Sequence, residues 1–148
     1  LGAMLGSPLD RAGRVKVEPD LSVRGHPEVF VVGDLAEMFT SGKRVPGVAP
    51  AAMQSGPHAA HNILRLVGRR STRPFRYRNK GDLATIGRNR AIAQFPTFQM
   101  WGVLAWWFWL FLHIMYLAGF RNRLGVLIEW AYSYFTYQRG ARLIAARR

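Results

Sequence analysis

Val29-Phe30-Val31-Val32-Gly33-Asp34 sets four β-branched or aromatic residues in a row and closes them with Gly-Asp. An unbroken apolar run of this kind reads as a parallel strand buried on both faces, with a carboxylate at its end. Gly-Asp alone is equally a common turn former. Toward the N-terminus, residues 1–28 are polar and punctuated by Gly6-Ser7-Pro8 and Gly25-His26-Pro27, which predicts turns around a short strand near Val15-Lys16-Val17. Toward the C-terminus, a Gly/Pro-rich loop over residues 41–50 leads into an Ala-, Met-, Gln- and Leu-rich segment. That segment predicts a helix over 51–67 with Gly68 as its C-cap, kinked near its first turns by Gly56-Pro57. An α/β fold is the expectation.

Further along, Phe75-Arg76-Tyr77-Arg78 alternates apolar and basic residues, Asn79-Lys80-Gly81-Asp82 reads as a turn, and residues 83–95 resume with β-compatible side chains. A hairpin is expected there. Pro96 opens a strongly apolar helix running to Phe120, and Arg121-Asn122-Arg123 separates it from a second helix over 124–145. In the second helix Leu124, Leu127, Ile128, Ala131, Tyr134 and Phe135 repeat at helical spacing, with Glu129, Ser133, Thr136 and Arg139 on other faces, so it is amphipathic. The expected divisions are 1–68, 69–95 and 96–148.

The 148 residues carry 21 Lys+Arg against 8 Asp+Glu and no cysteine. Disulfides, thiolate metal sites, Fe–S clusters and a catalytic thiol are thereby excluded. The charge is unevenly placed. Six basic and six acidic residues cancel over residues 1–64, nine basic residues face only Asp82 over 65–90, and six arginines face only Glu129 over 121–148. No charged residue occurs over 91–120, and 15 of the 19 aromatic residues fall between Phe95 and Tyr137. That separation signals a membrane. Nucleic acid is disfavoured, because stacking platforms would be interleaved with the arginines.

Residues 101–120 could just cross a hydrocarbon core of roughly 30 Å. Gln99, Gly102, His113 and the clustered tryptophans Trp101, Trp106, Trp107 and Trp109 favour the interface instead. Arg88 and Arg90 on one side match Arg121 and Arg123 on the other, so charge assigns no orientation across the bilayer. An interfacial helix with arginines reaching lipid phosphates is the expectation. A soluble helical core is disfavoured, since nothing polar covers Trp106-Trp107-Phe108-Trp109.

Four stretches taken together carry a family resemblance. They are the opening run, Gly47-Val48-Ala49-Pro50-Ala51-Ala52-Met53-Gln54-Ser55-Gly56, Tyr77-Arg78-Asn79-Lys80-Gly81-Asp82-Leu83-Ala84-Thr85-Ile86-Gly87-Arg88, and Gly119-Phe120-Arg121-Asn122-Arg123-Leu124. In order and spacing they resemble the C-terminal part of type II NADH dehydrogenase, and Tyr137-Gln138-Arg139-Gly140-Ala141-Arg142-Leu143-Ile144 fits as well. The resemblance implies the incomplete C-terminal part of a Rossmann-type flavoprotein with two dinucleotide-binding domains, ending in a β-hairpin and amphipathic membrane-anchor helices. The implied full-length enzyme oxidises NADH, holds electrons on FAD and reduces membrane quinone without pumping protons. It sits peripherally on the cytoplasmic face of the cell membrane, against an anionic lipid surface, and a homodimer is compatible with it. The Gly-x-Gly-x-x-Gly fingerprints for the cofactor pyrophosphates are not in these residues, and Leu1-Gly2-Ala3 lacks an initiator Met, so the chain reads as a fragment inactive alone.

Residue by residue, the resemblance implies FAD contacts from Gly33, which lets backbone approach, and Asp34, which accepts from ribityl hydroxyls. Ala49 and Pro50 stand where the family has Ala-Gln beside the flavin, so an amide is lost at Pro50. The amides of Ala51, Ala52 and Met53 would open a helix whose positive end favours reduced flavin. Lys80 matches the family's Lys-Gly near the flavin, and an exposed turn lysine is the plain alternative. Met53 and Gln54 would face either the quinone channel or the helix core, and a methionine alone more often fills a core. The membrane anchor would comprise Trp101, Trp106, Trp107, Trp109, Arg121 and Arg123. No metal is expected: His58 and His61 share a helical face without a Cys, Asp or Glu to complete a site. His113 could donate a proton near quinone, and serves as readily as an interfacial polar residue. A non-catalytic, membrane-anchored remnant of a flavoprotein is the alternative; a sulfide:quinone reductase relative is disfavoured because its redox cysteines are missing.

Overall fold

Residues 2–117 and 119–136 are described in the computed structural model of the chain, which divides into two units, Leu1–Lys80 and Gly81–Arg148. In the first unit, β1 (Val15–Lys16), β2 (Ser22–Val23), β3 (His26–Phe30), β4 (Ala36–Glu37), β5 (Phe39–Thr40) and β6 (Lys43–Arg44) precede helix α1 (Ala49–Val67). β1 runs parallel to β4, while β2/β3 and β5/β6 are antiparallel pairs. The turns suit their residues: Gly25 has φ +82° between β2 and β3, and Ser41-Gly42 between β5 and β6 have φ +51° and +75°. Two successive positive φ values twist a hairpin as its strands require. Val15, Leu21, Val23, Met38, Val45 and Phe75 form the core, closed by Ala51 and Ala59 from α1.

Two sequence expectations for this unit are corrected. The apolar run 29–32 is no doubly buried parallel strand: β3 ends at Phe30, pairs antiparallel with β2, and leaves Val32 exposed. Periodicity could not distinguish these, because the pairing is imposed by the tight Arg24-Gly25 turn that returns the chain onto Ser22–Val23. Helix α1 starts at Ala49, two residues earlier than expected, since Pro50 falls within its first two positions where the missing N–H costs nothing. It continues unbroken through Pro57. Gly68 caps it by donating to the Leu64 carbonyl at 3.0 Å.

The second unit comprises β7 (Asp82–Gly87), β8 (Arg90–Gln94), β9 (Gln99–Trp101), α2 (Gly102–Tyr116) and α3 (Phe120–Phe135). The strands form an antiparallel meander in that order. A hairpin exists, displaced from the expected one: residues 75–78 form no strand, and the turn is Arg88-Asn89, with Asn89 at φ +57°. Asparagine tolerates that conformation better than most residues. Pro96 opens no helix. Phe95 and Phe98 stack at 4.5 Å, the Phe95 amide donates to the Phe98 carbonyl, and the chain turns there into β9.

Ala91, Ala93 and Ala105 are almost wholly buried, so small side chains let α2 lie close on β8. α3 packs on α2 through parallel Trp109 and Trp130 rings 5.7 Å apart and through Trp106 with Tyr134 at 5.9 Å. Arg121-Asn122-Arg123 belongs to the first turn of α3 instead of separating two helices, because Gly119 at φ +77° makes the break. The expected extension of this helix to 145, Arg139, and the terminal stretch 137–144 lie outside the described residues.

Candidate functional site

The chain rises from β3 into a single 3₁₀ turn, Gly33–Leu35, against the start of α1. Gly33 has φ +67°, and a Cβ on it would stand 3.5 Å from the Ala52 methyl. Glycine is favoured by that backbone conformation, and the contact brings turn and helix together. The Gly33 amide donates to Ser55 Oγ at 3.3 Å, and Ser55 Oγ donates to the Ala52 carbonyl at 3.1 Å. Ser55 is fully buried. It joins strand exit to helix start, and the sequence reading missed it; a small hydroxyl residue on the helix face shared with Ala51, Ala52 and Ala59 was the available signal.

Asp34 is exposed at this junction, and its carboxylate has no hydrogen bond or ion pair among the described residues. A Cβ on Gly47 would lie 3.9 Å from Asp34 Oδ1 and 3.7 Å from Arg14 Nη1, so a cation stands near without pairing. Asp10 binds Arg14 and Arg44, Glu37 binds Arg44, Glu18 binds Arg24, Asp20 accepts from Ser22, and Glu28 lies 3.4 Å from His26. Asp34 is left as an acceptor for an external donor.

In the first turn of α1, Ala49 and Met53 are exposed while Ala51 is turned into the core. The amides of Ala51 and Ala52 both donate to the Val48 carbonyl, at 2.9 and 3.3 Å. Of the helix-opening amides expected to meet a cofactor, those two are already spent inside the turn, and Pro50 has none. Gln54 does not point its amide outward either. Its Nε2 donates to the Arg78 carbonyl at 3.0 Å and its Oε1 accepts from the Arg78 amide at 3.0 Å. The Tyr77 amide also donates to Thr40 Oγ1 at 3.1 Å, so residues 77–78 are held from two sides. Lys80, two residues beyond Arg78, is exposed and without a partner among the described residues. Gly33, Asp34, Ala49, Pro50, Met53, Gln54 and Lys80 thus all belong to the first unit.

The tryptophans belong to the second and divide into two roles. Trp101 and Trp107 are exposed, 72% and 59%, whereas Trp106 and Trp109 are half-buried against Tyr134 and Trp130. Leu104, Trp107, Phe111 and Met115 extend an uncovered apolar stripe along α2. α3 adds exposed Leu124, Leu127, Ile128 and Phe135. Arg123 Nε donates to the Leu117 carbonyl at 2.8 Å, closing the break between the helices, while Arg121 is exposed. His113 is exposed, with Nδ1 3.1 Å from the Trp109 carbonyl and its ring 4.0 Å from that indole. α2 has 15 residues, and no helix among those described is long and apolar enough to cross a membrane.

Residues 79–138 match the family described as NDH2 C-terminal domain. Over 96% of its length the chain is 47% identical to the type II NADH:quinone oxidoreductase NdhA of Mycobacterium tuberculosis (strain ATCC 25618 / H37Rv). Over 89% it is 42% identical to the type II NADH:quinone oxidoreductase Ndh of the same strain. It spans 30% and 28% of those two proteins. A solved structure of NDH2 from Plasmodium falciparum in complex with NADH shares the fold, with a TM-score of 0.73 at 14% identity over 89% of this chain and 41% of that one.

Proposed function

We propose, for a chain that belongs to the type II NADH dehydrogenase family and corresponds to a C-terminal part of its members, that it forms the quinone-side and membrane-attached end of an NADH:quinone oxidoreductase. The observation that carries this reading is the Asp34 carboxylate, unpaired among the described residues, beside the Gly33–Ala52 contact. These residues fit FAD: a left-handed glycine keeps the turn low, and the free carboxylate offers charge-assisted acceptance to ribityl hydroxyls. FAD, when bound, supplies the two-electron chemistry that links nicotinamide to quinone.

The chain's own residues bind and orient. Asp34 accepts hydroxyl donors, and Ala49 and Pro50 offer a short, side-chain-poor surface for a flat ring. Lys80 brings a mobile positive charge that favours an electron-rich ligand. Met53 lines the quinone approach with an adaptable apolar side chain, and Gln54 contributes by holding residues 77–78. Trp101, Trp107 and the α2 stripe lie in the bilayer interface on the cytoplasmic face, with Arg121 at lipid phosphates. At about 1.5 Å per residue α2 reaches only some 22 Å, short of the roughly 30 Å hydrocarbon core.

Pro50 favours a second reading, a membrane-attached flavoprotein remnant without catalysis, because it stands where the resemblance expects a glutamine. One experiment separates them. This chain replaces the corresponding part of NdhA, and the purified chimera is assayed for bound FAD and NADH:quinone activity. Retained flavin and activity, both lost with Asp34→Ala, are expected; a folded chimera holding FAD without quinone reduction supports the remnant.

A further inference from the structure

Outside the junction at Gly33, a second feature of the first unit stands unexplained. Where α1 ends, His58, His61, Asn62, Arg65, Arg70 and Arg73 line a groove of about 640 Å³, with no carboxylate among the described residues that line it. The chain after α1 folds back on it through a left-handed Arg69, φ +54°, with the Arg70 amide donating to the Arg65 carbonyl at 2.7 Å.

This return is pinned at two points. Arg65 Nε donates to the Ser71 carbonyl at 2.6 Å. Asn62, 1% exposed, spends its whole amide on backbone: Oδ1 accepts from the Arg73 amide at 2.9 Å, and Nδ2 donates to the Arg73 and Asp20 carbonyls at 2.9 and 3.1 Å. His58 Nε2 lies 2.8 Å from the same Arg73 carbonyl and 3.3 Å from Asn62 Nδ2. The backbone beneath Arg73 is therefore fixed before any ligand arrives. The side chains of His61, Arg70 and Arg73 have no partner among the described residues.

A helix C-terminus attracts basic residues, but that field fades within the last turn. It accounts for Arg65 and leaves Arg70 and Arg73, which lie beyond α1. Three arginines line one concavity on a pinned backbone, and an anion seated there would meet several positive charges at once. Guanidinium forks match phosphate oxygens two at a time.

We propose that this groove binds a compact phosphate-bearing anion, held by Arg65, Arg70 and Arg73 with His58 and His61 at its rim. The site is separate from the Gly33–Asp34 junction, and its failure would leave the flavin reading untouched. Free oxyanions and phospholipid headgroups share this chemistry. The test uses the whole 148-residue chain in non-ionic detergent, titrated with sodium pyrophosphate at constant ionic strength by calorimetry, and separately mixed with vesicles of phosphatidylcholine with or without phosphatidylglycerol.

If the anion is free in solution, pyrophosphate binds saturably, Arg70→Ala/Arg73→Ala weakens it by about tenfold or more, and Arg70→Lys/Arg73→Lys restores part of it. Arg76→Ala, at an exposed arginine outside the groove, leaves it unchanged. If the source is a headgroup, pyrophosphate gives no saturable binding, yet the double alanine variant, and not Arg76→Ala, loses affinity for the phosphatidylglycerol vesicles alone. The proposal is overturned if neither response appears, or if Arg76→Ala costs as much as the double variant. Circular dichroism checks the fold, and the lysine pair keeps the test intact should the alanine pair unfold.

Discussion

Gln54 and Arg78 are joined by two hydrogen bonds of 3.0 Å, the side-chain amide of one pairing both main-chain groups of the other as a neighbouring strand would. This clamp fastens a segment without regular secondary structure to α1 two residues before Lys80. Gln54→Ala leaves both groups of Arg78 without a protein partner and is expected to lower stability by roughly 1–2 kcal/mol. Gln54→Glu keeps the acceptor and loses the donor, so it should fall between. Urea midpoints of the three proteins check the order.

Gly81 has φ +106°, and a Cβ there would meet the Gln94 carbonyl oxygen at 2.5 Å. Backbone on backbone cannot yield cheaply. Gly81→Ala is expected to cost at least about 2 kcal/mol, far more than Gly87→Ala, where a Cβ enters open space. Thermal unfolding of both variants makes the comparison.

Asp20 ties the β1–β2 connection to residue 72. Burial pushes its carboxyl up, but the hydroxyls of Ser22 and Thr72 and the Ser22 amide donate to it and hold it below its ordinary 3.8. A group whose folded value is depressed adds stability that is present above the unfolded value and lost as pH falls through the folded one. Denaturant midpoints measured from pH 6 downward should drop below about pH 4, and Asp20→Asn should flatten that part of the curve.

Trp107 and Phe111 sit one turn apart on the uncovered side of α2. If that side enters the bilayer interface, Trp107→Glu or Phe111→Glu should each cost about 2 kcal/mol, roughly thirtyfold in vesicle affinity. Lys16→Glu, far along the sequence on an exposed strand position, should change it little. Co-sedimentation at high salt reads the difference, and unchanged binding would remove the stripe from the anchor.

The sequence alone carried everything that depends on residue type and order. Zero cysteines excluded thiol chemistry, the gap in charge over 91–120 marked the apolar end, and the spaced stretches around Gly33, Ala49, Lys80 and Gly119 carried the family resemblance. The long helix ending at Gly68 was also legible, because a helix is specified by neighbours three and four residues away.

The folded structure decided what depends on which segments pair. Val29-Phe30-Val31-Val32 reads as a buried parallel strand until Arg24-Gly25 folds it back on Ser22–Val23. Residues 96–101 read as helix until β8 offers an edge, which draws Gln99–Trp101 into the sheet and postpones α2. The pairing of the Gln54 amide with both backbone groups of Arg78 is likewise visible only in the folded structure. For both strands the local preference was genuine, and hydrogen-bonded pairing with a neighbouring strand outweighed it.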